Sequence, residues 1–497
     1  MKKRSFPAAQ TILLIIAAIV AILTWVIPAG SYDSLIYKKA DKEFMVQGPD
    51  SSYTISATQE SLNKLEVKIP IEKFTSGAIY KSVSIPNTYK ELAAQPQGIF
   101  AFLSSPVKGI IEAADVIFLV LIIGGLIGVM NATGAFNAGM AWLSKALKGK
   151  EFLLIIFTSL LISLGGTTFG MAEETLAFYP ILIPVFLAAR YDTMVGVACI
   201  FVSTIIGNMC STTNPFSTII ASDAAGINWA SGLQGRVIMY IVCMTVTIAY
   251  ILWYAKKVKN DPSKSLTDHE QTKAIPFLKK VDSEHAVTLN LRLRLILLVF
   301  ITAFVLMITG VSQWDWWFIE MTTIFFTAAI IIAFLGKIKE TEFIQSFVQG
   351  AGDLLGVAFI IGFARGITIL MNDGLISDSI LYYASELTTG MNKGVFANAL
   401  FFIYQGLSFF IPSSSGMAVL TMPIISPLAD TAGVAREVVV NAYQFGNGLF
   451  NVITPTGLVL ASLGIVKIGY DRFLKFILPL YAILILIVMI FLTLSVY

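Results

Sequence analysis

Gly165-Gly-Thr-Thr-Phe-Gly-Met-Ala-Glu-Glu174-Thr-Leu-Ala-Phe-Tyr-Pro180-Ile-Leu-Ile-Pro184 is the stretch on which the fold turns. Apolar sequence leads into it from Phe152 and out of it to Ala189. Small residues, hydroxyls and two carboxylates therefore fall at membrane depth. Non-helical backbone at that depth is tolerated only where protein buries it or a watery cavity borders it. Carboxylates there are costly and mark function by default. The stretch is expected to form half of a solute site, with the rest of the chain completing it.

Composition agrees. Of 497 residues, 56% are hydrophobic and 13% charged, against about 25% charged in a soluble domain. Repeated apolar runs of bilayer length point to an all-α polytopic membrane protein. A net charge of +3 gives no reason to expect a nucleic-acid partner. Cys199, Cys210 and Cys243 lack metal-ligand spacing and read as buried small hydrophobes. His269 and His285 fall in a polar linker, which argues against a histidine metal site or proton relay in the membrane.

Met1-Lys-Lys-Arg4 before the first span (residues 1–30) places the N-terminus inside. Residues 31–112 are then extracytoplasmic and polar, with strand-like alternation at Lys64–Ile71 and an alternative of interfacial helix near Ile99–Ile111. A first repeat covers 113–255, with a span from Ala113 and a short amphipathic piece at Phe136–Leu147. Lys150 and Arg190 put both flanks of the Gly165 segment inside. That predicts a re-entrant hairpin over 152–189 with its tip at Gly165–Gly170. Two full spans would have arms of only about 13 to 18 residues, short for about 30 Å. Residues 191–230 are too long for one helix and are interrupted at Gly207-Asn208 and Ser211-Thr-Thr-Asn-Pro215, which predicts a broken helix. Residues 256–290, with seven lysines against five acidic residues, read as a cytoplasmic linker. Residues 291–340 supply two more spans, joined by interfacial Trp314-Asp-Trp-Trp317.

Residues 341–497 repeat the first half. Asp115 to Gly124 matches Asp353 to Gly362, with Ile-Ile-Gly in both. Ile411-Pro-Ser-Ser-Ser-Gly416-Met417 answers Gly166 to Met171, giving a second hairpin over 394–435. Gly446-Asn447 and Thr454-Pro455-Thr456 answer Gly207-Asn208 and Thr213-Asn214-Pro215, giving a second broken helix over 437–470. The first copy starts outside and the second inside, so the repeats are inverted, a signature of secondary transporters. The count closes at nine spans and two hairpins, with the C-terminus outside.

Phe169-Gly-Met-Ala-Glu-Glu174, Thr213-Asn-Pro215, Ser413-Ser-Ser-Gly-Met417 and Tyr443-Gln-Phe-Gly-Asn447 with Thr454-Pro455 resemble the YfcC family of the ion-transporter superfamily. The likeness runs nearly the whole length and is weakest at 40–90 and 256–290. The family carries a C4-dicarboxylate anaerobic carrier label and includes arginine/ornithine antiporters. The resemblance implies a homodimer of the bacterial cytoplasmic membrane, with a fixed scaffold and an elevator-type transport domain. It leaves the substrate open.

Three groups of side chains are candidates for binding an amino acid or dicarboxylate. The tip set is Thr167, Thr168 and Gly170 with Ser413, Ser414, Ser415 and Gly416, where helix-start amides suit a carboxylate; ordinary capping is the plainer account. The break set is Asn208, Thr213, Asn214, Gln444, Asn447, Asn451, Thr454 and Thr456. Oxygens near Ser211, Asn214, Asn451 and Thr454 suit sodium, whereas a satisfied proline kink is the plainer account. The charge set is Glu173, Glu174 and Arg365. Only one of the adjacent glutamates is expected to face the site. Arg365 either meets a substrate carboxylate or neutralises an acid elsewhere. Asp115 and Asp353 read as equivalent helix N-terminal caps.

No arginine or lysine lies within either hairpin. A charge pair at about 4 Å with an effective dielectric of about 20 is worth roughly 4 kcal/mol. The glutamates, when ionised, therefore favour a basic amino acid, arginine exchanged for ornithine, over a C4-dicarboxylate; a protonated glutamate cancels that preference. Such exchange of like charges needs no ion gradient and no cofactor is expected, and sodium or proton coupling is compatible with it. Nothing in the sequence assembles an enzyme's nucleophile and base, and a channel is the weaker membrane alternative.

Overall fold

The computed structural model describes residues 7–49, 51–76, 79, 82–135, 138–139, 150–267, 272, 275, 290–314, 316, 318–388, 390–411 and 413–497. Helix α1 (Ala9–Val26) opens the chain. Short helices α2 (Gln59–Lys64) and α3 (Ile71–Thr75) lie within a β-rich segment that ends before α4 (Ile99–Glu112). Then follow α5 (Ala114–Thr133), α6 (Glu151–Phe169), a 3₁₀ turn (Glu173–Phe178) and α7 (Tyr179–Ala188). Helix α8 (Thr193–Met209) stops at Cys210, and the chain resumes at Pro215 into α9 (Ile220–Ala224) and α10 (Leu233–Asn260). Helices α11 (Leu291–Gln313) and α12 (Phe318–Gly336) lead to α13 (Glu340–Asp353), α14 (Leu355–Asp373) and α15 (Ser377–Glu386). The chain ends with α16 (Lys393–Phe410), α17 (Ser414–Thr431), α18 (Arg436–Phe450), α19 (Val459–Ile465) and α20 (Tyr470–Leu494). Among the described residues, seven helices are long and apolar enough to cross a membrane.

The order α4-α5-α6-turn-α7-α8-break-α9-α10 recurs, with α15 interposed after α14, as α13-α14-α15-α16-turn-α17-α18-break-α19-α20. Packing recurs with it. Helix α4 lies on α14, and α5 lies on α13. Both contacts run backbone to backbone through glycine. A Cβ on Gly109 would meet the Gly362 carbonyl oxygen at 2.1 Å, and one on Gly350 would meet that of Gly124 at 2.2 Å. Small residues let apolar helices approach this closely when no hydrophobic effect drives them together in lipid. Helix α12 also packs on α5, and α1 on α14. A second group forms where α6 packs on α8 and α16 on α18.

The structure differs from the sequence expectations in several places. An antiparallel sheet of order β4-β3-β2-β5 (Ser52–Ser56, Glu43–Gln47, Ser34–Lys38, Val83–Ser84) stands between α1 and α4, inside the segment where strand-like alternation was expected, while the membrane part is all-α. Strands β1 (Gly30–Ser31) and β6 (Lys90–Glu91) pair separately. Lys64–Ile71 is not among these strands: Lys64 ends α2, and Glu66 takes a left-handed φ of 57° that breaks extended backbone. The helix at Ile99–Glu112 is the alternative weighed for that region. Gly165–Phe169 is still helix, so the first turn begins at Gly170, not Gly165. Asp353 ends α13 while Asp115 sits in the first turn of α5, so they are not equivalent caps. Helix α10 continues to Asn260, and most of 256–290, with both histidines, lies outside the described residues. So does most of Phe136–Leu147. The three cysteines are buried and free.

Candidate functional site

A cavity of about 720 Å³ lies where the two helix groups meet. One wall is made by Gly170, Ala172, Glu173 and Glu174, by Asn208, Asn214, Phe216 and Ser217, by Ser413 to Ser415, and by Gln444, Asn447 and Asn451. The facing wall comes from α5, α12 and α14 through Ala113, Asp115, Val116, Phe318, Ile360, Ile361, Ala364 and Arg365. The first wall is rich in amides, hydroxyls and carboxylates. The second is apolar except for Asp115 and Arg365.

The first turn is built against the first break. Gly170 has a φ of +76°, and a Cβ there would sit 2.5 Å from the Asn214 side chain. Asn208 Nδ2 donates to the Met171 carbonyl at 3.0 Å. Asn214 Oδ1 accepts the Phe216 N–H at 2.8 Å, satisfying a donor freed where the helix restarts at Pro215. The second turn repeats the arrangement. Ser413 Oγ accepts the Gly416 N–H at 3.2 Å, Ser414 Oγ donates to Asn447 Oδ1 at 3.1 Å, and the Tyr443 hydroxyl donates to the Ser414 carbonyl at 2.8 Å. Gln444 joins the two breaks: its Nε2 donates to the Asn208 carbonyl at 2.7 Å and to Ser217 Oγ at 3.2 Å.

Thirteen of the eighteen candidates line the cavity: Gly170, Glu173, Glu174, Asn208, Asn214, Arg365, Ser413, Ser414, Ser415, Gln444, Asn447, Asn451 and Thr456. The other five stand behind it. Thr167 is 2% exposed; its hydroxyl donates to the Cys210 carbonyl at 2.8 Å and accepts the Thr212 N–H at 3.1 Å. Thr168 turns its hydroxyl onto the Leu164 carbonyl, and Thr213 donates to the Thr168 carbonyl. Gly416 supplies the capped amide, and Thr454 is fully buried in contact with Thr456. Ser211, named for sodium, is also fully buried and away from the cavity lining.

Both glutamates line the cavity, whereas one was expected to. They start a 3₁₀ turn, not an α-helix. Glu174 is bent back so that its carboxylate accepts the Ala172 N–H at 2.8 Å, which leaves Glu173 as the better placed of the two for a ligand. Arg365 Nε lies 3.3 Å from Glu112 Oε1, so the guanidinium neutralises an acid while bordering the cavity.

A family model described as "C4-dicarboxylate anaerobic carrier" matches residues 6–497. The chain belongs to that family. A protein of Haemophilus influenzae Rd, named only as "Uncharacterized protein", is 44% identical over 490 residues, 98% of this chain and 96% of that one. The "Putative basic amino acid antiporter YfcC" of Escherichia coli K12 is 29% identical over 487 residues, 95% and 93% of the two chains. Two solved transporters align over most of their length at low similarity. YdaH of Alcanivorax borkumensis has a TM-score of 0.40 at 13% identity, covering 98% of each chain. MtrF of Neisseria gonorrhoeae, titled an antimetabolite efflux pump, has 0.40 at 16%, covering 99% and 96%. Family membership makes the protein a multi-pass membrane carrier, a secondary transporter and not an enzyme.

Sequence reasoning missed two polar participants in this carrier. Ser217 sits two residues after Pro215 but carries no sequence signal of its own beyond a hydroxyl in an apolar segment. Glu112 could not be linked to Arg365 because 253 positions separate them. The apolar wall carried no signal either, since Phe318, Ile360 and Ile361 look like any spanning segment.

Proposed function

We propose that this carrier exchanges basic amino acids, arginine against ornithine or a close analogue, by alternating access. The observation that carries the substrate class is the charge of the cavity. Among the described residues, Asp115, Glu173 and Glu174 line it against Arg365 alone, and Arg365 is already beside Glu112. A cargo with a side-chain cation gains from that excess, and a second carboxylate on the cargo loses. The α-carboxylate of an amino acid is suited to the first backbone N–H groups of α17, at Ser414 and Ser415, where the helix dipole favours an anion. The name of the Escherichia coli relative points the same way.

The recurrent element order supports an inverted repeat with two re-entrant hairpins, α6–α7 and α16–α17, and two broken helices, α8–α9 and α18–α19. The division of the cavity walls supports an elevator. The hairpins and broken helices carry the polar wall and move as one body. Helices α5, α12 and α14 offer the smoother wall against which they slide. On this proposal the N-terminus is inside, the C-terminus outside, and the carrier a homodimer. The second reading, a sodium- or proton-coupled C4-dicarboxylate carrier, draws on the family description and on Arg365 facing the cavity.

Counterflow in proteoliposomes separates the two. Wild type loaded with arginine is expected to accumulate labelled arginine, ornithine or lysine, and not succinate or fumarate. E173Q should raise the arginine concentration for half-maximal exchange by about tenfold or more, a fraction of the roughly 4 kcal/mol of a close charge pair. Succinate counterflow with unaltered arginine behaviour in E173Q would remove the basis for a cationic cargo.

A further inference from the structure

The β-rich segment between α1 and α4 touches both sides of the carrier. Its root lies on the helices of the smoother cavity wall. The Gly30 N–H donates to the Leu375 carbonyl at 2.9 Å, just past the end of α14. On α15, Asp378 Oδ2 accepts the Tyr32 N–H at 3.0 Å, Ser379 Oγ accepts the Tyr89 hydroxyl at 3.0 Å, and the Tyr382 ring stacks on Tyr89 with centroids 4.1 Å apart. The Gln97 N–H donates to Thr24 Oγ1 at 2.8 Å on α1, which itself packs on α14. The far side of the segment lies on the hairpin body. Lys73 of α3 places Nζ 2.8 Å from Asp223 Oδ1 on α9. A Cβ on Gly226, just after α9, would stand 2.5 Å from the Lys68 carbonyl oxygen, so backbone meets backbone there. Strand β5 packs on α17. Arg436, at the start of α18, ties these parts together: its Nη1 donates to the Ala225 carbonyl at 2.6 Å and its Nε to Asp430 Oδ1 at 3.0 Å, near the end of α17. One segment thus rests on α9 from the first repeat and on α17 from the second.

We propose that this segment is a latch: it holds the hairpin body at its outer position and lets go in every transport cycle. The inference rests on the elevator reading and adds to it the contact that the moving body has to break. The root stays on α1, α14 and α15, so it cannot follow the hairpins inward. The far side can keep its contacts only while the outer ends of α9 and α17 stand where they are. Asp223 makes the contact selective for that position. Its side chain is fully buried, and among the described residues Lys73 is its one ion-pair partner. An inward stroke carries the acid away from that cation and deeper into the membrane, where a lone charge is expensive. The outer state is therefore favoured by contacts that touch neither cargo nor cavity.

The test fastens the contact and asks whether transport survives. The full chain carries paired cysteines, is treated with a reducible bifunctional thiol reagent of about the reach of a lysine side chain, and is assayed for arginine exchange in proteoliposomes. K73C/D223C removes both charges together, so no bare acid is left behind. Linking it is expected to lower exchange by about tenfold or more, because a covalent tie across a moving contact blocks the conformational step. Reduction should restore the rate, which also shows that the variant is folded. K73C alone, treated alike, controls for the native cysteines, which are buried. Linked Y89C/Y382C, which fastens the root to α15, should exchange as its unlinked form does. F178C/F304C spans the two bodies, since Phe178 of the first hairpin turn stands against Phe304 of α11 with ring centroids 5.4 Å apart, and linking it should stop exchange. Unchanged exchange in linked K73C/D223C, with linked F178C/F304C arrested, overturns the latch and leaves the elevator standing. Arrest of linked Y89C/Y382C overturns the latch as well, because the root would then be moving. Unchanged exchange in linked F178C/F304C overturns the elevator reading itself.

Discussion

Replacing Thr167 by valine separates a cargo contact from a structural tie at the same tip. The side chain keeps its volume and loses one hydroxyl. That hydroxyl donates to the Cys210 carbonyl at 2.8 Å and accepts the Thr212 N–H at 3.1 Å, both at the break of the first interrupted helix. The Thr212 N–H keeps a second acceptor in the Thr167 carbonyl at 2.8 Å. The Cys210 carbonyl loses its side-chain donor, in a place where Thr167 is 2% exposed. A neutral buried hydrogen bond is worth about 1 kcal/mol, and an orphaned partner costs about 1–3 kcal/mol. T167V should therefore destabilise the protein by about 1–3 kcal/mol. Detergent-solubilised T167V should melt several degrees below wild type and transport with a lower maximal rate, at a nearly unchanged half-saturation for arginine. T168V, which loses only a bond to its own helix at Leu164, should behave like wild type in both assays. A T167V protein with wild-type melting and a half-saturation raised tenfold would mean that Thr167 touches cargo, and the placement argued here would be wrong.

Three further outcomes follow from the same geometry. Lys73 Nζ lies 2.8 Å from Asp223 Oδ1, whose side chain is fully buried, so K73Q should cost about 1–3 kcal/mol. That is less than the 3–5 kcal/mol of a fully buried broken pair, because Lys73 remains partly exposed; adding D223N should recover most of the loss in a melting assay. Gly448 is where the two broken helices cross, and a Cβ there would stand 2.4 Å from Met209 Cα; G448A should destabilise by about 1–3 kcal/mol and abolish exchange, read as melting temperature and flux. Asp192 caps α8 by accepting the Val195 N–H and also accepts from Tyr254 and Ser265. Burial nevertheless pushes its carboxyl above the usual range, with those bonds only partly compensating. A raised folded-state pKa means the folded protein binds the proton more tightly than the unfolded chain. Its contribution is thus complete below the ordinary aspartate value of about 3.9 and is lost as pH rises through the elevated one. Wild type should lose melting temperature relative to D192N as pH is raised from about 4 upward, and parallel curves would contradict that assignment.

How much of this was visible in the sequence follows from the range over which each feature acts. The turns and breaks are local: glycine, proline, serine and asparagine inside apolar runs leave backbone donors to be satisfied, and residues such as Asn214 satisfy them two positions away. Helix ends at Phe169, Met209 and Phe410 stand within a few residues of those glycines, serines and prolines. Pairings between distant segments were not legible. Thr167 and Ser413 carry the same hydroxyl chemistry, yet Thr167 serves the break and Ser413 borders the cavity, because α6 runs one more turn than its glycines suggest.

The misplacement of Asp353 has a more general cause. Matching Ile-Ile-Gly in the two halves aligns residues at an offset of 238 positions, which sets Gly124 against Gly362. The helices themselves, Ile99–Glu112 against Glu340–Asp353, align at an offset of 241 and set Asp353 against Glu112. The three-residue difference is close to one helical turn. Glycines mark where two helices cross, and a crossing can slide by a turn along its axis while the helix ends stay fixed by their loops. A sequence alignment follows the crossing, whereas a cap or an ion pair follows the helix end. The acid that matters beside Arg365 is therefore Glu112, at the end of α4, and the motif that revealed the duplication pointed one turn past it.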